Sequence, residues 1–244
     1  MERLHRWLLL LVLLTPGLAG AETLRLVADP WPPFTDQTLL NNGLATDLVT
    51  TALSRAGYAT HYAEVPWARA VRGLQNTEYD VVVSAWFSEV RATFGYFSQP
   101  YLVNRIRFLR RKGTAIDYRT LSDLYPYRIA VMRGYAYSSE FSSDPRLNKI
   151  EVGSFESGAR MLQRQRVDLV LEDEFVANYH LSRSLQAIAD ELEFVPLALR
   201  ENGLHILIRR THPEHQLIAE RFNQAIAAMR ADGSYAQTLK RHGF

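Results

Sequence analysis

The chain has 244 residues, of which 47% are hydrophobic and 22% are charged, a composition typical of an ordinary globular protein. Its formal net charge is only +2, and its basic residues are scattered, which argues against a dedicated nucleic-acid surface. The chain contains no cysteine, which excludes disulfides, thiolate zinc sites, iron–sulfur ligation and a cysteine nucleophile.

Residues 1–21 have the three-part order of a secretory signal peptide. Arg3 and Arg6 precede an apolar run from Trp7 to Leu14, and a stretch of small residues ends in Ala19-x-Ala21. This order predicts cleavage after residue 21 and a mature protein in the periplasm. An uncleaved anchor is the alternative, but the apolar run is shorter than the roughly 20 residues that span a bilayer.

A first series of strands and helices follows. Strands are predicted at Thr23–Ala28, Ala59–Val65 and Asp80–Ser84, with helices after Thr46-Asp47 and over Trp67–Gln75. Three prolines make the segment after the first strand a rigid loop. The Thr46-Asp47 pair is expected to cap the first helix.

A second series has the same alternation. After a strand over Val103–Arg111, the predicted elements are a strand at Arg128–Met132, a helix near Ser138, a strand around Ile150, a helix capped by Ser154, a strand at Val167–Leu171, a strand at Leu204–Ile208, a long helix from Thr211–Glu214 and a terminal helix at Ser234–Arg241. A glycine turn is predicted at Gly134.

Two such series predict two doubly wound α/β lobes, with a ligand cleft between them at the carboxyl ends of the strands. The strand at residues 103–111 leaves the first series, and the chain returns before its last helices. We therefore expect a discontinuous first lobe, residues 22–104 with 199–244, and a second lobe at residues 105–198.

Familiar catalytic signatures are absent from the sequence. There is no G-x-S-x-G, G-x-G-x-x-G, G-x-x-x-x-G-K or H-E-x-x-H motif. His212 and His215 are spaced like a pair of metal ligands, but no third ligand is near them in sequence, so a solvated helix start is the better interpretation. We expect no catalytic residue, no metal and no cofactor.

Four segments of the mature chain resemble the bacterial extracellular solute-binding proteins of family 3, the periplasmic receptors of polar amino acid ABC transporters. Leu24–Phe34 is similar to the first strand and its D-x-x-x-P-F loop, and Gly43–Leu48 is similar to the G-F-x-x-D-L helix start. Tyr79–Tyr101 resembles D-x-x-x-S-G-x-T-x-T-x-E-R followed by F-S-x-P-Y. Ala231–Tyr235 with Phe244 resembles the closing helix pair.

The resemblance implies a type II-like periplasmic binding protein whose two lobes grip the solute. Arg91 matches the arginine that binds the α-carboxylate of the ligand, for which a planar guanidinium is suited. Ser84 matches a contact beside it, and Gly134 begins the stretch whose amides receive the same carboxylate. Asp173 matches the acceptor for the α-ammonium.

The same resemblance places aromatic walls around the solute. Trp31 and Trp67 match wall positions, and Asp29 matches a position that can meet the ligand side chain. Trp86 and Tyr135 stand where the family has smaller or hydroxylated residues, so a large ring could fill space that the ligand normally uses.

Structural interpretations of the same residues remain open. Arg91 could be a surface arginine after a strand, because most arginines are exposed. Asp173 could act only as the cap of the helix that follows it, although capping and binding are compatible. The tryptophans could belong to the core, with Trp31 the least expected there because it lies between prolines.

Three functions are consistent with the sequence. The first is a monomeric receptor that delivers a small polar or zwitterionic solute to an inner-membrane ABC permease. The second is an enzyme on the same scaffold, similar to cyclohexadienyl dehydratases, with an acid from Glu172, Asp173 or Glu174. The third is a sensing module for a signalling partner.

The aromatic walls predict the solute class for the receptor. Trp31, Trp67, Trp86, Phe87 and Tyr135 favour flat or cationic groups by stacking and cation–π attraction. We expect a solute with a carboxylate at one end and an aromatic or cationic group at the other, in preference to glutamate, aspartate or a sugar.

Overall fold

A computed structural model describes residues 22–244. The predicted signal peptide and its cleavage site lie outside the described residues. The strands are β1 (Thr23–Ala28), β2 (Ala59–Glu64), β3 (Val81–Trp86), β4 (Gly95–Phe97), β5 (Leu102–Arg111), β6 (Arg128–Met132), β7 (Asn148–Val152), β8 (Leu169–Asp173) and β9 (Leu192–Arg209). The helices are α1 (Leu44–Arg55), α2 (Trp67–Gln75), α3 (Glu89–Ala92), α4 (Ser139–Ser143), α5 (Phe155–Gln163), α6 (Glu174–Leu181), α7 (Gln186–Ala189), α8 (His215–Ala231) and α9 (Ser234–Arg241), with 3₁₀ turns at Leu40–Asn42 and Leu121–Leu124. Among residues 22–244 no helix is long and apolar enough to cross a membrane.

The nine strands form one mixed sheet in the order β2-β1-β3-β9-β5-β8-β6-β7, with β4 paired to β9. β1 is parallel to β2 and β3, and β6 is parallel to β7 and β8. We call β2, β1, β3 and β4 the first half of the sheet, and β8, β6 and β7 the second half. These two halves correspond to the two predicted series, and the predicted α/β class is confirmed.

Two long antiparallel strands join the halves. β5 and β9 pair from Leu102 opposite Leu204 to Arg111 opposite Leu192. β9 also pairs with β3 in the first half, and β5 also pairs with β8 in the second. The strand predicted at residues 204–208 is only the last part of β9. The earlier part of β9 was not predicted, because its polar residues interrupt the apolar pattern. The lobe boundaries near residues 104 and 199 stay a prediction.

The start of α1 differs from the prediction. The helix begins at Leu44 with Gly43 at its N-cap, so the Thr46-Asp47 pair lies inside the first turn. Asp47 is the fourth residue of the helix and does not cap it, and its carboxylate accepts a hydrogen bond from the His242 ring at 2.9 Å. Gly43 has φ +97°, and a Cβ there would lie 2.5 Å from the Phe34 carbonyl oxygen. Glycine therefore lets the proline-rich loop after β1 lie directly against α1.

Most other predicted helices are where the sequence put them. α2 and α9 have the predicted bounds, and Ser154 caps α5 by accepting a hydrogen bond from the Ser157 N–H. The short elements β4, α3 and α7 were not predicted, because three or four residues carry too little periodicity to detect.

The two halves repeat one ion pair. Arg25 at the start of β1 binds Asp80 before β3, and Arg128 at the start of β6 binds Asp168 before β8. Asp80 also accepts a hydrogen bond from Arg209 at 2.8 Å. Burial acts to raise the pKa of Asp80, but the arginine hydrogen bonds hold it well below its usual range. These pairs fix the register at the amino ends of the strands, so that the opposite, carboxyl ends can carry the site.

Candidate functional site

A small cavity lies between the two halves of the sheet, at the carboxyl ends of β1, β3 and β6. Its volume is about 30 Å³, enough for about two water molecules. The residues that line it are Asp29, Trp31, Trp67, Ser84, Trp86, Arg91, Tyr135, Ala136 and Leu204. Seven of the nine predicted ligand contacts are among them. Their contact with a solute stays a prediction.

Arg91 is the charged group that connects the two sides of this cavity. The residue lies on α3 and is 8% exposed, so the alternative of a surface arginine does not hold. Its Nη1 donates to the Trp86 carbonyl in the first half, and its Nη2 donates to the Gly134 carbonyl in the second, both at 2.9 Å. The guanidinium carbon lies 4.6 Å from the centre of the Trp67 ring. Burial lowers the pKa of Arg91 to about 10, so the side chain keeps its charge at neutral pH.

Asp29 is the acidic group of the cavity lining. It follows β1 directly, at the beginning of the proline-rich loop, and is half-buried. Burial raises its pKa to about 7, and the positive charge of Arg91 opposes that rise. No acidic side chain of residues 22–244 lies within ion-pair distance of Arg91, so its charge is balanced only at longer range. Such a buried cation is suited to bind an anionic group.

Three aromatic rings pack edge to face around the cavity and make it small. The ring centres of Trp31 and Trp86 are 5.6 Å apart, those of Trp31 and Tyr135 are 6.3 Å apart, and those of Trp86 and Tyr135 are 5.2 Å apart. Phe87, which the sequence suggested as a further wall, does not line the cavity but lines the wider groove beside it, where it is 56% exposed and packs on Phe97.

The remaining small residues of the site come from both halves. Ser84 on β3 is buried, and its hydroxyl has no hydrogen-bond partner among the described residues. Gly134 follows β6 with φ +76° and lies in the wider groove outside the cavity. A Cβ on Gly134 would lie 3.3 Å from the Trp67 ring, so the glycine permits close approach of the two halves.

A family model for bacterial extracellular solute-binding proteins, family 3, matches residues 24–244. The chain belongs to this family. It is 26% identical over 232 residues to the ABC transporter arginine-binding protein 1 of Escherichia coli K12, with 93% of each chain covered. Its fold is similar to that of a histidine kinase sensor domain, with a TM-score of 0.76, 18% identity and coverage of 92% of this chain and 97% of that chain. It is also similar to AncCDT-1, an ancestral amino acid-binding protein described as a precursor of cyclohexadienyl dehydratase, with a TM-score of 0.70, 21% identity and coverage of 90% and 94%.

In this solute-binding protein Asp173 stands apart from the cavity. It is 0% exposed and does not line the cavity. Its Oδ1 accepts hydrogen bonds from the Phe175 and Val176 N–H groups at 2.9 and 3.0 Å, which makes it the N-cap of α6. Burial raises the pKa of Asp173 to about 7. The structure therefore supports the capping role directly, and ammonium binding by Asp173 stays a prediction.

Two buried polar residues lie outside the cavity lining: Glu172, which the sequence offered as a candidate acid, and Asn104, which it did not single out. Glu172 is 1% exposed, its Oε1 accepts the Asp173 N–H at 2.8 Å, and burial raises its pKa to about 8. Asn104 on β5 is 0% exposed and accepts the Trp86 indole N–H at 2.9 Å. The sequence carried a signal for Asn104, because it has the same strand parity as the buried Ile106 and therefore points inward.

His212 and His215 are the two histidines whose spacing resembles a pair of metal ligands. His212 contacts Glu22 at 3.1 Å, and His215 contacts the His212 carbonyl at 2.8 Å. Across residues 22–244 the structure brings together no group of three or more metal-ligating side chains.

Proposed function

We propose that this protein is a periplasmic receptor that captures a small, carboxylate-bearing polar or zwitterionic solute, an amino acid or a derivative, for ABC-type import. One observation carries the proposal. Arg91 holds a positive charge inside the cavity, without an ion-paired acid, and bonds to backbone carbonyls of both halves of the sheet. A solute carboxylate at this guanidinium would complete the contact between the halves.

The comparisons support this role and its setting. The relative in Escherichia coli is named as an arginine-binding protein of an ABC transporter, so the partner of this chain would be an inner-membrane permease. A permease would recognise the form in which the halves have closed on the solute. The same proposal includes export with cleavage after residue 21, a monomeric state, and two lobes that meet near residues 104 and 199.

The other end of the solute would carry an aromatic or cationic group. Trp31, Trp67 and Tyr135 offer ring faces and edges to the cavity, and Asp29 offers one carboxylate. Cation–π and stacking contacts contribute about 0.5 to 2 kcal/mol each, so these residues favour such a group over a second acid or a sugar.

An enzymatic role is the second candidate, and Glu172 is the observation that favours it. With a pKa of about 8 this carboxyl is protonated at neutral pH and could donate a proton to a leaving hydroxyl. Glu172 is 1% exposed, however, and lines neither the cavity nor the wider groove beside it, whereas Arg91 lines both. We therefore place binding before catalysis.

Native mass spectrometry of the exported protein would identify a co-purified solute, and calorimetry would then compare variants. Arg91→Ala should weaken binding of a carboxylate solute by roughly thirty- to several-thousand-fold, because removing one side of a buried charge pair costs about 2 to 5 kcal/mol. Arg72→Ala, an exposed arginine on α2, is the matched control. Equal affinity of Arg91→Ala and wild type would contradict the proposal, and turnover of the solute would favour the enzyme.

A further inference from the structure

We propose that three phenylalanines, Phe34, Phe175 and Phe244, form a latch that holds the two halves of the sheet together at a place separate from the cavity. The latch goes beyond the proposed function, because it concerns how the halves are held whatever the solute is.

The three rings come from both halves of the molecule. Phe34 lies in the loop after β1, and Phe244 lies three residues after α9, which packs on α1 in the first half. Phe175 is the second residue of α6, directly after β8 of the second half. The ring centre of Phe175 is 4.7 Å from that of Phe244 and 6.5 Å from that of Phe34, and the last two are 6.0 Å apart. Aromatic pairs attract one another at these separations, so the cluster is a direct apolar contact between the halves.

The segment that carries Phe244 is tied to the first half. The buried Asp47 carboxylate on α1 accepts hydrogen bonds from the Arg241 guanidinium at 3.2 Å and from the His242 ring at 2.9 Å. The Phe244 N–H donates to the Leu239 carbonyl at 3.0 Å. These bonds keep the Phe244 ring with the first half when the halves separate. Because the ring is positioned in advance, its contact with the second half loses little conformational entropy when it forms.

Phe175 is positioned by the second half in the same way. Its N–H donates to the Asp173 Oδ1 at 2.9 Å, at the N-cap of α6. Phe34 is fully enclosed, whereas Phe175 and Phe244 remain partly exposed to water. Each of these two rings loses further apolar surface from water through its contact with the other, so the contact stabilises the closed arrangement. The rings are also exposed enough for water to enter between them, so the latch is able to open.

The latch is separate from the contacts at the cavity. Phe175 and Phe244 line a groove between the halves that shares no lining residue with the cavity or with the wider groove at Arg91. Arg91 joins the halves elsewhere, through the Trp86 and Gly134 carbonyls. Removal of a latch ring therefore changes how the halves are held without changing any residue that lines the cavity.

Double electron–electron resonance between two spin labels measures the separation of the halves. The chain contains no cysteine, so Ser54→Cys on α1 and Ala187→Cys on α7 provide two unique labelling sites, both exposed. In dialysed protein with the wild-type rings, the main distance should match the separation of these residues in the structure. Phe175→Ala and Phe244→Ala should each raise the ratio of open to closed molecules at least threefold. The double variant should add little to either single one, because the two rings act through each other.

Leu197→Ala is the matched control. This side chain on β9 is 48% exposed, against 44% for Phe175, and lines neither the cavity nor the two grooves. Its removal should leave the distance distribution unchanged. A rise of less than threefold in either ring variant, an equal rise in the control, or a wild-type protein that is already mostly open would each overturn the latch. None of these outcomes bears on the proposed function, which calorimetry tests, because no solute is added.

Discussion

Replacing Glu172 by glutamine tests whether the buried acids at the end of β8 keep their protons in the native protein. The side chain is 1% exposed, and its Oε1 accepts the Asp173 N–H at 2.8 Å. Glutamine has the same shape and keeps an acceptor oxygen for that N–H. The substitution therefore removes the titration and changes the packing little.

The magnitude follows from the pKa of this group. Burial raises the pKa of Glu172 from 4.5 to about 8. Between these pH values the native protein retains a proton that the unfolded chain releases, so the free energy of unfolding falls as the pH rises. At about 1.4 kcal/mol per pH unit the full loss is on the order of 5 kcal/mol, complete above pH 8 and absent below pH 4.5.

Two other acids, Asp29 and Asp173, also make the free energy of unfolding fall as the pH rises, but over a shorter pH interval. Burial raises the pKa of Asp29 and of Asp173 to about 7. Most of their contribution to the pH dependence is therefore complete by pH 7, and each adds about 0.4 kcal/mol between pH 7 and pH 8. Glu172 contributes the largest single loss in that interval, about 1 kcal/mol.

Urea unfolding at pH 5, 6, 7 and 8, followed by circular dichroism, measures this dependence directly. The wild type should be more stable at pH 5 than at pH 8, and Glu172→Gln should lose about 1 kcal/mol less than the wild type between pH 7 and pH 8. Glu201→Gln, an exposed glutamate on β9, is the matched control. The reasoning is refuted if the wild type and Glu172→Gln lose the same free energy between pH 7 and pH 8.

Three further substitutions probe other parts of the structure. Gly134→Ala should lower the free energy of unfolding by about 1 to 2 kcal/mol, because a φ of +76° is strained for a residue with a side chain and the added Cβ would press on Trp67. An unchanged melting temperature would contradict this expectation. Phe175→Ala removes the contact between the Phe175 and Phe244 rings, whose centres are 4.7 Å apart. Solute affinity measured by calorimetry should fall about two- to tenfold, while the melting temperature of the solute-free protein changes little. Unaltered affinity would show that the contact is not coupled to closure of the two halves. Asp80→Asn should lower the free energy of unfolding in urea by about 2 to 3 kcal/mol, since the buried Asp80 carboxylate binds two arginines, one of them half-exposed. A loss below about 0.5 kcal/mol would show that these ion pairs contribute no more than exposed surface pairs do.

The alternation of strands and helices was readable from the sequence, because each element is specified by short-range periodicity and by local caps. The buried strands β3 and β8 contain the apolar runs Val81–Val83 and Leu169–Leu171, and Ser154 and Gly233 mark helix ends by chemistry that needs no distant partner. The order of motifs also identified the family before any geometry was available, because the spacing between motifs preserves the topology that positions them.

The site required the tertiary structure, because its residues are distant in sequence and its electrostatics depend on burial. Asp29 and Tyr135 come from two separate loops and Arg91 comes from α3, and only the pairing of β5 and β9 with both halves brings them to one cavity. No sequence pattern shows that Trp86 turns its ring toward that cavity while its N–H reaches Asn104.

At the end of β8, the capping by Asp173 depends on the local sequence, whereas the burial of Asp173 and Glu172 depends on the tertiary structure. That Asp173 can cap a helix is a local property, which the sequence of the strand-to-helix junction already contained. That Asp173 is sealed from the cavity, and that Glu172 has a pKa of about 8, follows from removal of both carboxyls from water. Desolvation depends on every element packed around a group, and so only the folded chain decides it.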